Sequence, residues 1–240
     1  MIFGASLGQI EFFSWNCSAW EEAILMAELE YFRNQSYQEF LLSSARKNLL
    51  APDLVFSYFD WKNPENLVDF GCGLGFYLTE FAKHLPNTWI WAGDCQQDLL
   101  DQILRRKWME ELEKVTTFFV ERSDHPLLPD WIPNANITFA SLSLATFPNP
   151  GLAMDGLIRS MMPDGRLFLE EYSKLDTSFG PSINDKISID KMKFLAEEFK
   201  LRVVKADKLN EFFYAMEVVA SKEFVFGYYD LKPEEENETI

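Results

Sequence analysis

The chain has 240 residues and a mass of 27.9 kDa, with 48% hydrophobic and 25% charged residues, enough apolar material for one sizeable buried core. Lys plus Arg number 22 and Asp plus Glu 38, a net charge of −16, so the surface repels phosphate backbones and anionic lipid and nucleic acid is a poor partner. Three cysteines (Cys17, Cys72, Cys95) without metal-like spacing, no apolar run of roughly 18–20 residues and no basic leader argue against a disulfide scaffold, a bound metal, a membrane span and secretion, leaving a reducing cytoplasm as the expected setting.

The first 61 residues are set apart by their rings, with thirteen aromatic side chains from Phe3 to Trp61. They read as helices. Ser18-Ala19-Trp20-Glu21 has the form of a capping box, followed by Trp20, Ile24, Ala27 and Tyr31 on one stripe. Ser36-Tyr37-Gln38-Glu39 repeats the capping pattern before Phe40, Leu41 and Ala45, and Pro52 suits the first turn of a third helix carrying Leu54, Val55, Tyr58 and Phe59. Residues 1–61 are therefore expected to form an N-terminal helical cap, with the main domain over 62–222.

From Leu67 onward short apolar strands alternate with helical patterns. Strands are expected at Leu67–Phe70, Trp89–Ala92, Thr116–Val120, Ile137–Leu142 and Arg166–Glu170, with helices starting near Gly75, Gln97 and Pro150, the last behind Asn149 as N-cap with Pro150 at the first helical position. This alternation predicts an α/β fold, a doubly wound, mostly parallel sheet of the Rossmann type with seven strands. A helix follows Ser188, with Met192, Leu195, Ala196 and Phe199 on one face. Arg202–Ala206 and Phe212–Ala220 then read as strands separated by about five residues, too few for a parallel crossover, so the last strand should be antiparallel. Residues 223–240 form an acidic tail; its last eleven carry five acids against one lysine.

The densest signal is Leu67-Val68-Asp69-Phe70-Gly71-Cys72-Gly73-Leu74-Gly75-Phe76, a strand running into a glycine-rich turn before a helix. Glycines at alternate positions permit a tight turn and let a ligand touch the backbone, and the helix start offers free N–H groups. The second strand ends at Gly93-Asp94. Asp94 lies 19 residues beyond Gly75, where a nucleoside-binding βαβ unit places a carboxylate on the ribose hydroxyls; a turn acid capping the next helix is the competing role.

Asp69-Phe70-Gly71-Cys72-Gly73-Leu74-Gly75 resembles motif I of the class I S-adenosylmethionine-dependent methyltransferases. The resemblance spans roughly residues 50–220 and is nearest to the small-molecule branch typified by ubiquinone and menaquinone biosynthesis. It includes Asp94, Ser123-Asp124 after the third strand, Ile137–Pro150, Met162-Pro163-Asp164-Gly165-Arg166-Leu167 before the fifth strand, and Gly180-Pro181. Ala145 stands where many relatives carry His, Asp164 replaces a glycine, and Asn136 begins the fourth strand in place of Asp.

The resemblance implies methyl transfer from S-adenosylmethionine to a small, apolar or aromatic acceptor. The transfer is an in-line displacement for which positioning alone supplies about 7–11 kcal/mol. It also implies roles for particular residues. Gly71, Gly73 and Gly75 shape the loop, Asp69 holds the amino group of the methionine part, and Ser141 makes its carbonyl contact. Asp124, beside Ser123 and His125, selects adenine, while Phe70, Cys72 and Cys95 line the site. A general base is not demanded; His125, Glu171 and Tyr172 are the weak candidates, with Glu170 beside Glu171. A catalytically silent, cofactor-binding scaffold is the alternative reading, and a nicotinamide oxidoreductase is disfavoured by the glycine spacing.

Overall fold

The computed structural model describes residues 42–110, 112–121 and 125–224. The expected helices before residue 42, the acidic tail beyond 224, and Ser123 and Asp124 lie outside the described residues.

Among the described residues two short helices, α1 (Ser44–Leu49) and α2 (Pro52–Tyr58), precede the first strand. The helix expected to run through Ala45 instead begins at Ser44, because the Ser43 hydroxyl accepts the Arg46 backbone N–H and caps a new helix there. Pro52 occupies the first turn of α2, as expected. Then follow β1 (Asn66–Phe70), α3 (Leu78–His84), β2 (Trp89–Asp94), α4 (Gln97–Arg106), β3 (Val115–Phe119), β4 (Ala135–Ser141), α5 (Pro150–Arg159), β5 (Met161–Tyr172), α6 (Ile189–Glu198), β6 (Leu201–Lys208) and β7 (Phe213–Ala220).

The seven strands form one sheet in the order β3-β2-β1-β4-β5-β7-β6. All neighbours are parallel up to β5, and β7 inserts antiparallel between β5 and β6, as the short β6–β7 connection requires. Asn149 accepts the N–H groups of Gly151 and Leu152 at the start of α5, and Ser188 caps α6, both as expected.

Side chains alternate across the sheet. Leu67, Ile90, Phe139, Phe168 and Ala215 face a layer built by α1 to α4, while Val68, Phe70, Ala140, Leu169 and Met216 face α5 and α6. The aromatic residues just before β1 belong to the first layer. Phe59 stacks on Phe168 with centroids 4.3 Å apart, and Trp61 meets Phe168 edge-on at 5.1 Å. Stacked and edge-to-face pairs of this kind add about 0.5–1.5 kcal/mol each beyond their buried area.

Two local details differ from expectation. The strand expected at Arg166–Glu170 starts at Met161, and the stretch Met162-Pro163-Asp164-Gly165 is an insertion within it. Ala135 pairs with Met161 and Ile137 with Arg166, so two steps on β4 span five on β5. The helix expected near Gly75 starts at Leu78, because Gly75 itself has φ +76° and cannot be helical. Among the described residues no helix is long and apolar enough to cross a membrane.

Candidate cofactor site

Strand order reverses at β1, between β2 and β4, so a cleft opens at the carboxyl ends of these strands. The glycine loop fills its floor. Gly71, Gly73 and Gly75 have φ of +71°, +53° and +76°, so all three occupy left-handed backbone. The β1–β2 pairing continues into the loop, with the N–H groups of Gly71 and Cys72 both donating to the Gly93 carbonyl, at 2.8 and 3.0 Å.

Asp94 braces the loop from β2. Its Oδ2 accepts the Gly73 N–H at 2.8 Å and its Oδ1 the Gln96 N–H at 2.9 Å. The expected position beside the glycines is thus occupied, and the turn-capping role is also present in the same carboxylate. Each oxygen keeps lone-pair capacity for a hydroxyl donor. Burial raises the Asp94 pKa, and the N–H donors of Gly73 and Gln96 pull against that rise.

Asp69 and Ser141 lie on the same face of the sheet as Asp94. Asp69 is 3% exposed, and its carboxylate accepts no hydrogen bond among the described residues. Burial pushes its pKa up to about 8; Arg46 opposes the rise, while Asp94 and Glu170 add to it. Ser141 donates to Glu170 Oε1 at 3.1 Å and accepts from the Arg46 guanidinium at 3.3 Å. Tyr77 donates to the other Glu170 oxygen. Arg46 also lies 4.0 Å above the Phe76 ring, which ties α1 to the glycine loop.

The remaining expected residues are distributed as follows. Cys72 is buried in the α1–α4 layer, and Cys95 is half-buried beside Asp94. The Phe70 ring lies on the opposite face, stacked on Phe147 at 5.8 Å, so Phe70 meets the cleft through its backbone alone. His125 is held by α5, with Nε2 2.8 Å from Asp155, which also pairs with Arg159. Glu171 points away from Glu170; its Oε1 accepts the Ala145 N–H at 3.1 Å, its Oε2 has no hydrogen-bond partner among the described residues, and burial pushes its pKa up to about 8. Tyr172 packs on Phe213 at 5.1 Å, with the Lys186 ammonium 5.5 Å from its ring.

Four participants escaped the sequence reading. Arg46 sits in an unremarkable helical stretch, and Tyr77 and Gln96 belong to no spacing rule. Ser143 packs where a Gly71 side chain would be, 2.5 Å from its Cβ position, and donates to the Phe70 carbonyl at 3.1 Å. A small residue two beyond the end of β4 was the available signal for it.

The arrangement fits an adenosyl amino acid. A left-handed glycine loop exposes backbone, Asp94 offers spare acceptor capacity for a ribose, and an unbonded buried carboxylate awaits an ammonium. No family model and no curated protein matches the chain. Solved structures do. An S-adenosylmethionine-dependent methyltransferase from Aquifex aeolicus superposes with TM-score 0.69 at 19% identity, covering 77% of this chain and 97% of that one. A putative type 11 methyltransferase from Sulfolobus solfataricus gives TM-score 0.52 at 17% identity, covering 76% and 95%. An O-methyltransferase from neocarzinostatin biosynthesis, solved with S-adenosyl-L-homocysteine and 1,4-dihydroxy-2-naphthoic acid, gives 0.63 at 17%, covering 84% and 61%. This chain therefore has the Rossmann-like fold of the S-adenosylmethionine-dependent methyltransferases.

Proposed function

We propose that the chain is an S-adenosylmethionine-dependent methyltransferase acting on a small molecule. One observation carries the reading: three left-handed glycines, braced by the Asp94 carboxylate, at the strand-order reversal of this sheet. The cofactor supplies a methyl group already activated on a sulfonium. Asp94 takes the ribose hydroxyls, and the Gly71 and Gly73 backbone lies along the methionine part. Asp69 holds the amino group, Ser141 supports the same end, and Asp124 reads the adenine. Cys72 and Cys95 line the site. The work of the protein is alignment, so it needs no nucleophile of its own.

The acceptor is proposed to be apolar or aromatic, in keeping with the ring-rich first 61 residues and with the naphthoic acid bound by the neocarzinostatin methyltransferase. A second reading has its own support. His125, Glu171 and Tyr172 are each engaged elsewhere, as a protein that binds the cofactor without turnover would allow. Calorimetry with S-adenosylhomocysteine tests binding, and no heat of binding would remove the proposal. Release of labelled methyl to hydroxyl, amine, thiol or carbon acceptors then separates the enzyme from the silent scaffold.

A further inference from the structure

Outside the cleft, α2 and α3 bring three metal-ligating side chains together. Glu80 and His84 stand one turn apart on α3, a spacing that puts both on one face of the helix. Asp53 joins them from the first turn of α2, and one ligand atom from each residue lies within 4.8 Å of the other two. Asp53 and His84 are exposed and Glu80 is half-buried, so an ion in solution reaches the group.

The geometry is specific. His84 Nε2 lies 3.5 Å from Glu80 Oε2. That is longer than an ordinary N–H···O hydrogen bond, and it matches the separation of about 3.4 Å between two ligand atoms that each sit about 2.1 Å from a tetrahedral ion. The imidazole is also held in place. Phe56 of α2 lies against it with ring centroids 4.5 Å apart, and Phe56 in turn stacks on Trp61 at 4.9 Å and tilts onto Phe81 at 5.6 Å. The rings that pack α2 on α3 thus fix the His84 plane and carry Asp53 to it. His84 at the end of α3 and Asp53 at the start of α2 each complement the dipole of their own helix, a role that does not require the other. The competing cation is Lys83, with Nζ 3.7 Å from Glu80 Oε2; its side chain is 70% exposed, and so loose a pair gives way to a divalent ion.

We infer that Asp53, Glu80 and His84 form a binding site for a divalent transition-metal ion of the zinc class, which clips α2 to α3. One imidazole nitrogen and two carboxylates suit zinc, whereas magnesium takes oxygen ligands alone. Three protein ligands leave the fourth tetrahedral position to water. The net charge of −16 raises the concentration of cations at the surface. None of the ligands is a cysteine, so the cysteine spacing that spoke against a metal does not touch this site. Nor does the inference depend on the methyltransferase reading, because the three side chains lie outside the residues assigned to the cofactor.

The test is calorimetry on the full chain, stripped of metal with a chelator and titrated with zinc chloride. One ion should bind per chain, and the melting temperature should rise by a few degrees in excess zinc. His84→Ala and Asp53→Asn sit at exposed positions and leave the fold intact. Each should weaken zinc binding at least about tenfold and remove the rise in melting temperature. Zinc held equally by the parent and both variants would place it on other residues and overturn the inference. So would no zinc binding at all, or magnesium chloride displacing zinc at equal concentration.

Discussion

The Gly73 N–H donates to Asp94 Oδ2 at 2.8 Å, so the carboxylate assigned to the ribose is also the brace of the glycine loop. Asp94→Ala therefore does two things. It strips the charged acceptor from the nucleoside, and it leaves the Gly73 and Gln96 N–H groups without their partner. Affinity for S-adenosylhomocysteine should fall by about 2–4 kcal/mol, from two hydrogen bonds to a charged group. Thermal stability should fall as well. Asp94→Asn keeps one backbone acceptor and should recover most of the stability but little of the affinity. If both variants bind as the unaltered protein does, Asp94 is no part of the site.

Gly71 makes a different demand. Its φ of +71° disfavours any side chain, and a Cβ there would lie 2.5 Å from Ser143 Cβ. Gly71→Ala should cost about 1–2 kcal/mol in backbone strain and a further 1–3 kcal/mol from the collision. Adding Ser143→Gly relieves the collision but not the strain, so the double variant should melt between the single variant and the parent. Denaturant unfolding reads both steps. Full recovery in the double variant would mean that the backbone at Gly71 tolerates alanine.

How much of this was legible beforehand follows from which physics acts locally. The glycine loop and Asp94 announce themselves because a tight left-handed turn and a carboxylate one βαβ unit later are short-range constraints. The Ser188 and Asn149 caps were readable for the same reason. The antiparallel β7 followed from loop length alone. Arg46 was invisible, since its position over Phe76 and against Ser141 depends on how α1 packs on the sheet, 95 residues away in sequence from its hydroxyl partner. The late start of α3 was missed because Gly75 looks permissive in either role, and only its positive φ rules out helix. The long β5 was missed because Pro163 and Gly165 read as an end to pairing, whereas the register resumes beyond them.

His125 offers a sharp contrast with the loop. Its Nε2 lies 2.8 Å from Asp155, whose carboxylate Arg159 grips at 2.6 Å, and its ring sits 3.1 Å from the Cβ position of Gly156. That is the setting of a residue fastening the segment after β3 to α5. His125→Gln should lower the melting temperature by a few degrees, about 1 kcal/mol, while the affinity for S-adenosylhomocysteine stays within about twofold. Turnover, once an acceptor is known, should change far less than the roughly hundredfold or more that loss of a general base brings. A collapse of turnover with binding intact would restore His125 as the base.

Buried acids set the response to pH. Burial pushes both Asp69 and Glu171 up to about 8, and it raises Asp94 and Glu170 too. Below the pKa of an unfolded carboxylate, about 4, these groups are protonated in both states and their contribution to stability is fully present. Between about 4 and about 8 the unfolded chain gives up a proton that Asp69 and Glu171 retain in the folded chain, so stability falls as pH rises, by at most about 1.4 kcal/mol per pH unit for each of the two. Above about 8 the contribution is gone. The melting temperature should therefore decline from about pH 5.5 to about pH 8 and flatten beyond. Glu171 isolates the effect away from the cleft, because its Oε1 accepts the Ala145 N–H while its Oε2 has no hydrogen-bond partner among the described residues. Glu171→Gln keeps the accepting oxygen and removes the charge, so it should melt higher than the parent at pH 8 and nearly together with it at pH 5. Melting curves that rise with pH across this window, or a variant equally shifted at both ends of it, would show that Glu171 is ionised in the folded protein throughout.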